Sequence, residues 1–397
     1  MGSKILVKAP LQIKKIKSIL EKANVFDKRR KITRSDGVAC LYSSGSMAEM
    51  SALLGDLQDV IEVFEDTDTV PVGGLQGAVL DVIGSDSHLL KDLPKKWSLY
   101  PPMVLFTGDL FSTPEWDAYF ETSGKSELFE HLLKTFFAGY THFAVNQPII
   151  ESDVMRRPFN LVPIYGDFGP TPDDQKYDRP TQQDFDEAFW CTANQNGIAQ
   201  EWAPRYTMFS RGNITEKKRV LGFGDLRGQN VVDLYAGIGY FTFSYLALGA
   251  TVFCWEINPW SIEGLLRGLT KNGCKYKLVR PGDAFTSDTY TTEITNGTRA
   301  FIFHESNEKS VQRLGDLGIT ISHYNLGLLP LLRQGWQVVT TLGCENAIVH
   351  VHENVHKNDF ETLKEELQEY FKGNVTHLEK VKTFAPDVWH VVVDVKV

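Results

Sequence analysis

Residues 221–397 are predicted to form an α/β domain with a doubly wound, mostly parallel sheet. Three observations carry this: short apolar runs alternate with amphipathic helices, a glycine turn follows the first run, and successive strands end on acids. VVDLY (231–235) is the first strand, with Gly237 and Gly239 in the turn and FTFSYLALG after it. TVFCWEI (251–257) is the second. Asn258 then reads as an N-cap and Pro259 as the first helical residue. An apolar stripe at Ile262, Leu265, Leu266 and Leu269 follows, with a stop at Asn272-Gly273. YKLVRPGD, TRAFIFHES, SHYNLGLLP and ENAIVHVHENV supply further strands. DFETLKEELQEYFKG is an amphipathic helix with Phe360, Leu363, Leu367, Tyr370 and Phe371 on one face, and HVVVDVKV is the last strand.

The upstream text is less regular. KDLPKKWSLYPPM (91–103) reads as a linker or boundary loop, residues 159–180 as loop, and a helix is expected around Phe185–Trp190. The expected division is an α+β domain over 1–138, a connecting subdomain over 139–220 and the α/β domain over 221–397.

The 397 residues are 42% hydrophobic and carry a net charge of −9, the composition of a globular protein. No apolar run reaches the ~18 residues of a membrane span, and the first residues lack the apolar stretch of a signal peptide. Five scattered cysteines without a CxxC argue for a reducing, cytoplasmic setting and against a thiolate metal site; no metal is expected. The net charge argues against nucleic acid, but its distribution does not. Residues 8–34 hold ten basic side chains, Lys28, Arg29, Arg30 and Lys31 among them, against Glu21 and Asp27. Such a +8 stretch can hold phosphates on an acidic protein. It reads equally as the solvated face of an amphipathic helix marked by Leu11, Ile16, Ile19 and Leu20. Arg205, Arg211, Lys217, Lys218 and Arg219 form a second basic cluster.

The strongest chemical signal is Asp233-x-x-Ala236-Gly237-x-Gly239. In a doubly wound fold the ligand lies beyond the carboxyl ends of the strands, where strand order reverses. Glycines there let the backbone approach a ligand. A carboxylate at the strand end repels a nucleotide phosphate and suits a cation, so S-adenosylmethionine fits better than a dinucleotide. Glu256, 19 residues after Gly237, stands where an acid binds ribose hydroxyls, and Asp283 where one accepts from the adenine amine. The plain alternative is three acids capping strand-to-helix turns. After the fourth strand an amine-directed methyltransferase would carry NPPY or DPPY; here the text is Asn325-Leu326-Gly327-Leu328-Leu329-Pro330, which speaks against ordinary base-amine methylation.

VVDLYAGIGYF, WEINPW, NLGLLP, RRPFNLVPIYGDFGP, WAPRYTMFSRGNITEKKRV and VKTFAPDVWHVVVDV together resemble the tRNA wybutosine-synthesising protein 2 family in its fungal form, from about Gly139 to Val397. That family is similar to the tRNA guanine-37 N1-methyltransferases. The resemblance implies a Rossmann-like class I S-adenosylmethionine-dependent methyltransferase fold, preceded by a smaller α+β RNA-facing region. It implies transfer of the 3-amino-3-carboxypropyl group of S-adenosylmethionine to C7 of 4-demethylwyosine at position 37 of phenylalanine tRNA, releasing methylthioadenosine. By the same resemblance Ser210 and Lys217 are cofactor contacts, Lys217 for the methionine carboxylate; Glu256 holds the ribose and Asp283 with Ala284 the adenine. Their plain alternatives are a helix N-cap for Ser210 and a solvated helix charge for Lys217. Arg205, Arg211 and Asn213 are candidate RNA or cofactor contacts. No general base is assigned, and no obligate protein partner or membrane is expected.

Two other readings stay open: an S-adenosylmethionine-dependent methyltransferase acting on guanosine at position 37, and a catalytically silent tRNA-binding module. His350, His352 and His356 are expected to be exposed strand residues rather than metal ligands.

Overall fold

The computed structural model describes residues 2–9, 12–27, 32–35, 38–66, 74–84, 87–107, 111, 113–146, 158, 161–329 and 333–397. The chain divides into two compact units, one of residues 1–95 and 109–139, the other of 96–108 and 140–397.

In the first unit, strands β1 (Gly2–Val7), β2 (Thr33–Ser35), β3 (Val38–Ser43) and β4 (Ile61–Asp66) form an antiparallel sheet in the order β2-β3-β1-β4. Burial alternates residue by residue along β1 and β3, as in a sheet covered on one face. Helix α1 (Ile13–Lys22) buries Ile13, Ile16 and Leu20 against Ile5, Val7 and Leu41 and leaves Lys14 and Lys15 exposed. Leu11 and Lys28, Arg29, Arg30 and Lys31 lie outside the described residues. Helices α2 (Met47–Leu53), α3 (Gly74–Ile83), α4 (Pro114–Ser123) and α5 (Lys125–Thr135) complete the unit.

The second unit begins with β5 (Trp97–Tyr100), β6 (Met103–Thr107), β7 (His142–Asn146) and β8 (Leu161–Tyr165), a mixed sheet in that order. Part of 91–103 is thus a strand rather than a linker, and the expected loop at 159–180 contains β8. Prolines at Pro101, Pro102 and Pro163 hide both strands in the sequence. Helices α6 (Asp174–Asp178) and α7 (Gln182–Glu187) lead to a hairpin, β9 (Cys191–Gln195) and β10 (Ile198–Trp202), and to α8 (Ile214–Val220).

The main sheet holds β11 (Asn230–Asp233), β12 (Thr251–Glu256), β13 (Tyr276–Val279), β14 (Ala300–His304), β15 (Ile321–Leu326), β16 (Ile348–His356), β17 (Asn374–Ala385) and β18 (Val388–Lys396). Its order is β13-β14-β12-β11-β15-β16-β18-β17, with the strands parallel through β16, and β18 running antiparallel to both β16 and β17. Strand order reverses at β11, which pairs with both β12 and β15. One face packs with α9 (Thr242–Ala247) and α10 (Pro259–Lys271), the other with α13 (Gln334–Leu342) and α14 (Phe360–Phe371); α11 (Ser287–Thr295) and α12 (Ser310–Leu314) join the strands between. In α14 Leu363, Leu367 and Phe371 are buried while Tyr370 is exposed, so the apolar face is narrower than expected.

Helix α10 starts where its signals place it: the Asn258 side chain accepts from the amides of Trp260 (2.9 Å) and Ser261 (3.4 Å), with Pro259 inside the first turn. Asn258→Ala should therefore lower unfolding stability by ~1 kcal/mol, measured by urea denaturation.

Candidate active site

The carboxyl ends of β11 and β12 meet at the switch point. Asp233 ends β11 fully buried; its carboxylate accepts from Thr242 Oγ1 (2.7 Å) and from Asn325 Nδ2 at the end of β15 (3.0 Å). Burial raises its pKa against those hydrogen bonds. It faces inward, so it clamps the two strand ends rather than presenting an oxygen to the surface. Gly237 and Gly239 have φ of +56° and +85°. A Cβ on Gly239 would stand 2.5 Å from the Phe243 ring and 2.7 Å from Leu265, so only glycine fits that turn. Glu256 ends β12, half-buried, and accepts three backbone amides, from Gly237 (2.9 Å), Ile257 (2.8 Å) and Asn258 (2.7 Å). It thereby fixes the glycine turn to the next strand. Burial raises its pKa although those amides favour the anion.

Lys217 on α8 is 4% exposed, which removes its reading as a solvated helix charge. Its Nζ donates to Gln200 Oε1 (2.5 Å) and Gln195 Oε1 (2.9 Å) and lies about 5 Å over the Phe209 and Tyr240 rings, 5.0 and 5.2 Å from their centroids. Gln200 in turn donates to Gly239 O (3.1 Å), joining the ammonium to the glycine turn. Burial pulls the Lys217 pKa down to about 7, and among the described residues its Nζ hydrogen bonds go to neutral amide oxygens rather than to a carboxylate. A buried cation held by neutral oxygens and ring faces is a cradle for an anion. Ser210 precedes the short helix Arg211–Asn213, but its side chain makes no cap; its amide donates to Tyr240 Oη (3.3 Å), whose hydroxyl donates to Met208 O (2.5 Å).

Helix α8 is held by Arg219, whose guanidinium makes paired hydrogen bonds to Glu216 (2.7 and 2.8 Å) and to Asp394 on β18 (2.6 and 3.0 Å). Asp394 also accepts from His350 Nδ1 (2.6 Å), and His350 Nε2 lies 2.9 Å from His323 Nδ1. Burial pushes the Asp394 pKa up, but the hydrogen bonds from His350 and Arg219 outweigh it and hold the carboxyl well below the usual range. His350 and His352 are thus buried, not exposed as expected; His352 pairs with His390 (3.1 Å). Among the described residues, no His, Cys, Asp and Glu cluster could hold a metal ion.

The remaining candidates separate. Strand β14 lies between β12 and β13, with Glu256 in register with His304. Asp283 and Ala284, beyond the end of β13, are therefore one strand further from Glu256 than consecutive numbering implies. Both are exposed, and Asp283 Oδ2 accepts from the Arg280 amide (2.8 Å). The segment at the end of β14 reaches the switch point instead: Asn307 Nδ2 donates to Leu234 O (3.0 Å). Arg205 donates to the carbonyls of Gly169 (3.0 Å) and Pro170 (3.2 Å), and exposed Arg211 to Ser98 Oγ (3.1 Å). The second basic cluster is consequently no single patch, since Lys217 and Arg219 turn inward while Arg211 and Lys218 stay exposed. Sequence reasoning missed Gln195, Gln200 and Asn307, neutral side chains whose partners are far along the chain.

Arg219→Met would leave Glu216 and Asp394 buried without their cation. It should cost ~3–5 kcal/mol, read from denaturant midpoints at pH 7.

The TRM5/TYW2 methyltransferase domain family matches residues 192–288. The chain is 42% identical over 315 residues to the tRNA wybutosine-synthesizing protein 2 of Schizosaccharomyces pombe, covering 77% of this chain and 73% of that protein. To the protein of the same name from Saccharomyces cerevisiae it is 39% identical over 369 residues, covering 78% and 76%. Among solved structures, P. horikoshii TYW2 in complex with MeSAdo shares the fold with a TM-score of 0.54 at 18% identity, over 81% of this chain and 98% of that one. Sequence identity at this level over most of both chains, on a switch-point site of this geometry, makes the chain a member of the tRNA wybutosine-synthesizing protein 2 family.

Proposed function

We propose that the chain transfers the 3-amino-3-carboxypropyl group of S-adenosylmethionine to C7 of 4-demethylwyosine at position 37 of phenylalanine tRNA, with methylthioadenosine leaving. Family membership supports the chemistry, and the observation in the site that carries it is the buried Lys217 beside the glycine turn, paired among the described residues with neutral glutamines. The co-substrate is a zwitterion with a sulfonium between its adenosine and its methionine chain. Lys217 holds the methionine carboxylate, with Ser210 beside it, and Glu256 takes the ribose hydroxyls with lone pairs left by its three amides. Asp233 supplies negative field from below. The adenine lies at the end of β14, near Asn307, rather than at Asp283 and Ala284.

A sulfonium offers three electrophilic carbons, and position selects among them. With the carboxylate fixed at Lys217, the γ-carbon is the one placed by a protein contact. The target base enters over Asn325-Leu326-Gly327. A Cβ on Gly327 would stand 3.3 Å from the Phe241 ring, so this segment is a close-packed floor without the prolines of an amine-methylating motif. The 1–138 region and the 139–220 subdomain meet the tRNA, through Lys28, Arg29, Arg30 and Lys31 and through Arg205 and Arg211. The setting is cytoplasmic. No helix among the described residues is long and apolar enough to cross a membrane.

The deciding experiment supplies S-adenosylmethionine labelled separately in its methyl and carboxypropyl carbons, with phenylalanine tRNA carrying the precursor base. Carboxypropyl label should enter the RNA as methylthioadenosine appears. Methyl label with S-adenosylhomocysteine would establish the methyltransferase reading in its place, and retention of tRNA without transfer the silent module.

A pH dependence follows from Lys217. Its value of about 7 in the free protein rises when a carboxylate binds, so the ligand favours the charged form. Affinity for S-adenosylmethionine should be level below pH 7 and fall towards tenfold per unit above it. Methylthioadenosine, which lacks the carboxylate, should show no such decline, and Lys217→Met should remove the difference between the two. Calorimetric titration from pH 6 to 9 reads this directly; equal profiles for both ligands would remove the pairing.

A further inference from the structure

Strand β16 outruns its parallel neighbour. Its register with β15 ends at Leu326 opposite Val351, while His352 to His356 pair with β18 alone. Those residues stand at the carboxyl end of the sheet, above the Asn325-Leu326-Gly327 floor, where ligands of this fold lie. Glu353 is the second residue of this overhang and projects on the face of Val351, capping the core that holds Leu326 and Trp336. It is 9% exposed. One carboxyl oxygen accepts from the Asn354 amide (3.1 Å); the other, Oε2, is buried with no hydrogen-bond partner among the described residues. Buried carboxyl oxygens are ordinarily satisfied, so an orphan at the carboxyl end of the sheet, where ligands of this fold lie, points to an absent ligand.

The surrounding charges leave it uncommitted. Arg333, at the start of α13, faces it but is paired with Glu366 of α14 at 2.5 Å, and the β18 neighbour in register is Val391. Burial raises the Glu353 pKa to about 7, with Arg333 opposing and Glu366 adding. Such a carboxyl can accept a proton near neutrality without holding it tightly.

We infer that Glu353 is the proton acceptor of the transfer, an inference that rests on the proposed carboxypropyl chemistry. In that step a π pair of the base forms the bond from C7 to the methionine γ-carbon. The bond from that carbon to sulfur breaks with its electrons on sulfur, which leaves as a neutral thioether. The proton on the attacked carbon passes to the Glu353 carboxylate, and its bonding pair restores the ring. Sulfonium charge is thus exchanged for one proton on the protein.

Single-turnover transfer by the full chain, at saturating labelled S-adenosylmethionine and precursor tRNA, tests this from pH 5.5 to 9. In the wild type the rate should rise about tenfold per unit below pH 7 and level off above it. Glu353→Gln should lose ~100-fold or more and become flat with pH, with cofactor affinity and melting temperature unchanged. Glu353→Asp should keep the slope at a lower plateau. Carboxypropyl transfer by Glu353→Gln at near wild-type rate, or with the slope intact, would overturn the role. Wild-type transfer of methyl label would instead remove the reaction on which the role depends.

Discussion

One guanidinium holds the site in place. Arg219 is shared between Glu216, three residues earlier on its own helix, and Asp394, 175 residues later on β18. Burial works against its charge, but the hydrogen bonds to both carboxylates raise its pKa, so the cation is never lost. A seven-residue helix has little stability of its own, so α8 depends on tertiary contacts: this tie to the sheet and the burial of Val220 in the core. Because α8 is fixed, Lys217 can be kept buried against Gln195 and Gln200, and through Gln200 the helix is coupled to the glycine turn. His350 and His323 extend the same chain across the sheet, with the His323 pKa pulled down to about 4 by burial. The two histidines therefore serve as hydrogen-bonding struts under the site.

Local chemistry was legible in the sequence, and distant pairing was not. The glycine turn, Glu256 and the start of α10 lie within 28 residues, 233 to 260, and each depends on neighbours in the chain. Their signals are backbone signals: positive φ at two glycines, a cap, and a proline in the first turn. Lys217 and Arg219 sit in a Lys-Lys-Arg run that resembles a surface patch. What buries them are Gln200 and Asp394, which no spacing rule connects to 217–219. The His350-Val-His352 alternation announces a shared strand face but not whether that face is wet. Here α9 and the β17–β18 hairpin complete the sheet and dry it.

Strand order was the other illegible quantity. Consecutive strands with terminal acids suggested that Asp283 follows Glu256 across the sheet as it does along the chain. Instead β13 pairs with β14 alone, at the sheet edge, and β14 takes the place beside β12. The sequence of β14 is a continuous apolar run, Ala300 to Phe303, fully buried on both faces, which is what an interior parallel strand requires. The burial of β13 is weaker, with Tyr276 exposed, as suits an edge. Weighing the two runs for burial, rather than reading them in order, would have exchanged them.

The acidic whole and the buried Lys217 belong to one electrostatic design. Asp233 and Glu256 lie on the β11–β12 side of the glycine turn, and Lys217 reaches it from α8 through Gln200. On the proposed reading, a zwitterionic co-substrate placed across that turn meets the Glu256 carboxylate at its ribose, the field of the buried Asp233 beneath its sulfonium and a cation at its far carboxylate. On that reading, reversing it would set its carboxylate against Glu256 and leave Lys217 without a counter-ion, so the field favours one direction. Direction then fixes which sulfur-bound carbon is presented to the base, because the chain that ends in the carboxylate is the one stretched between two protein contacts. On the proposed reading the choice of transferred group is set by where the charges sit, with the Glu216–Arg219–Asp394 tie holding the one charge that no neighbour in the sequence would have kept there.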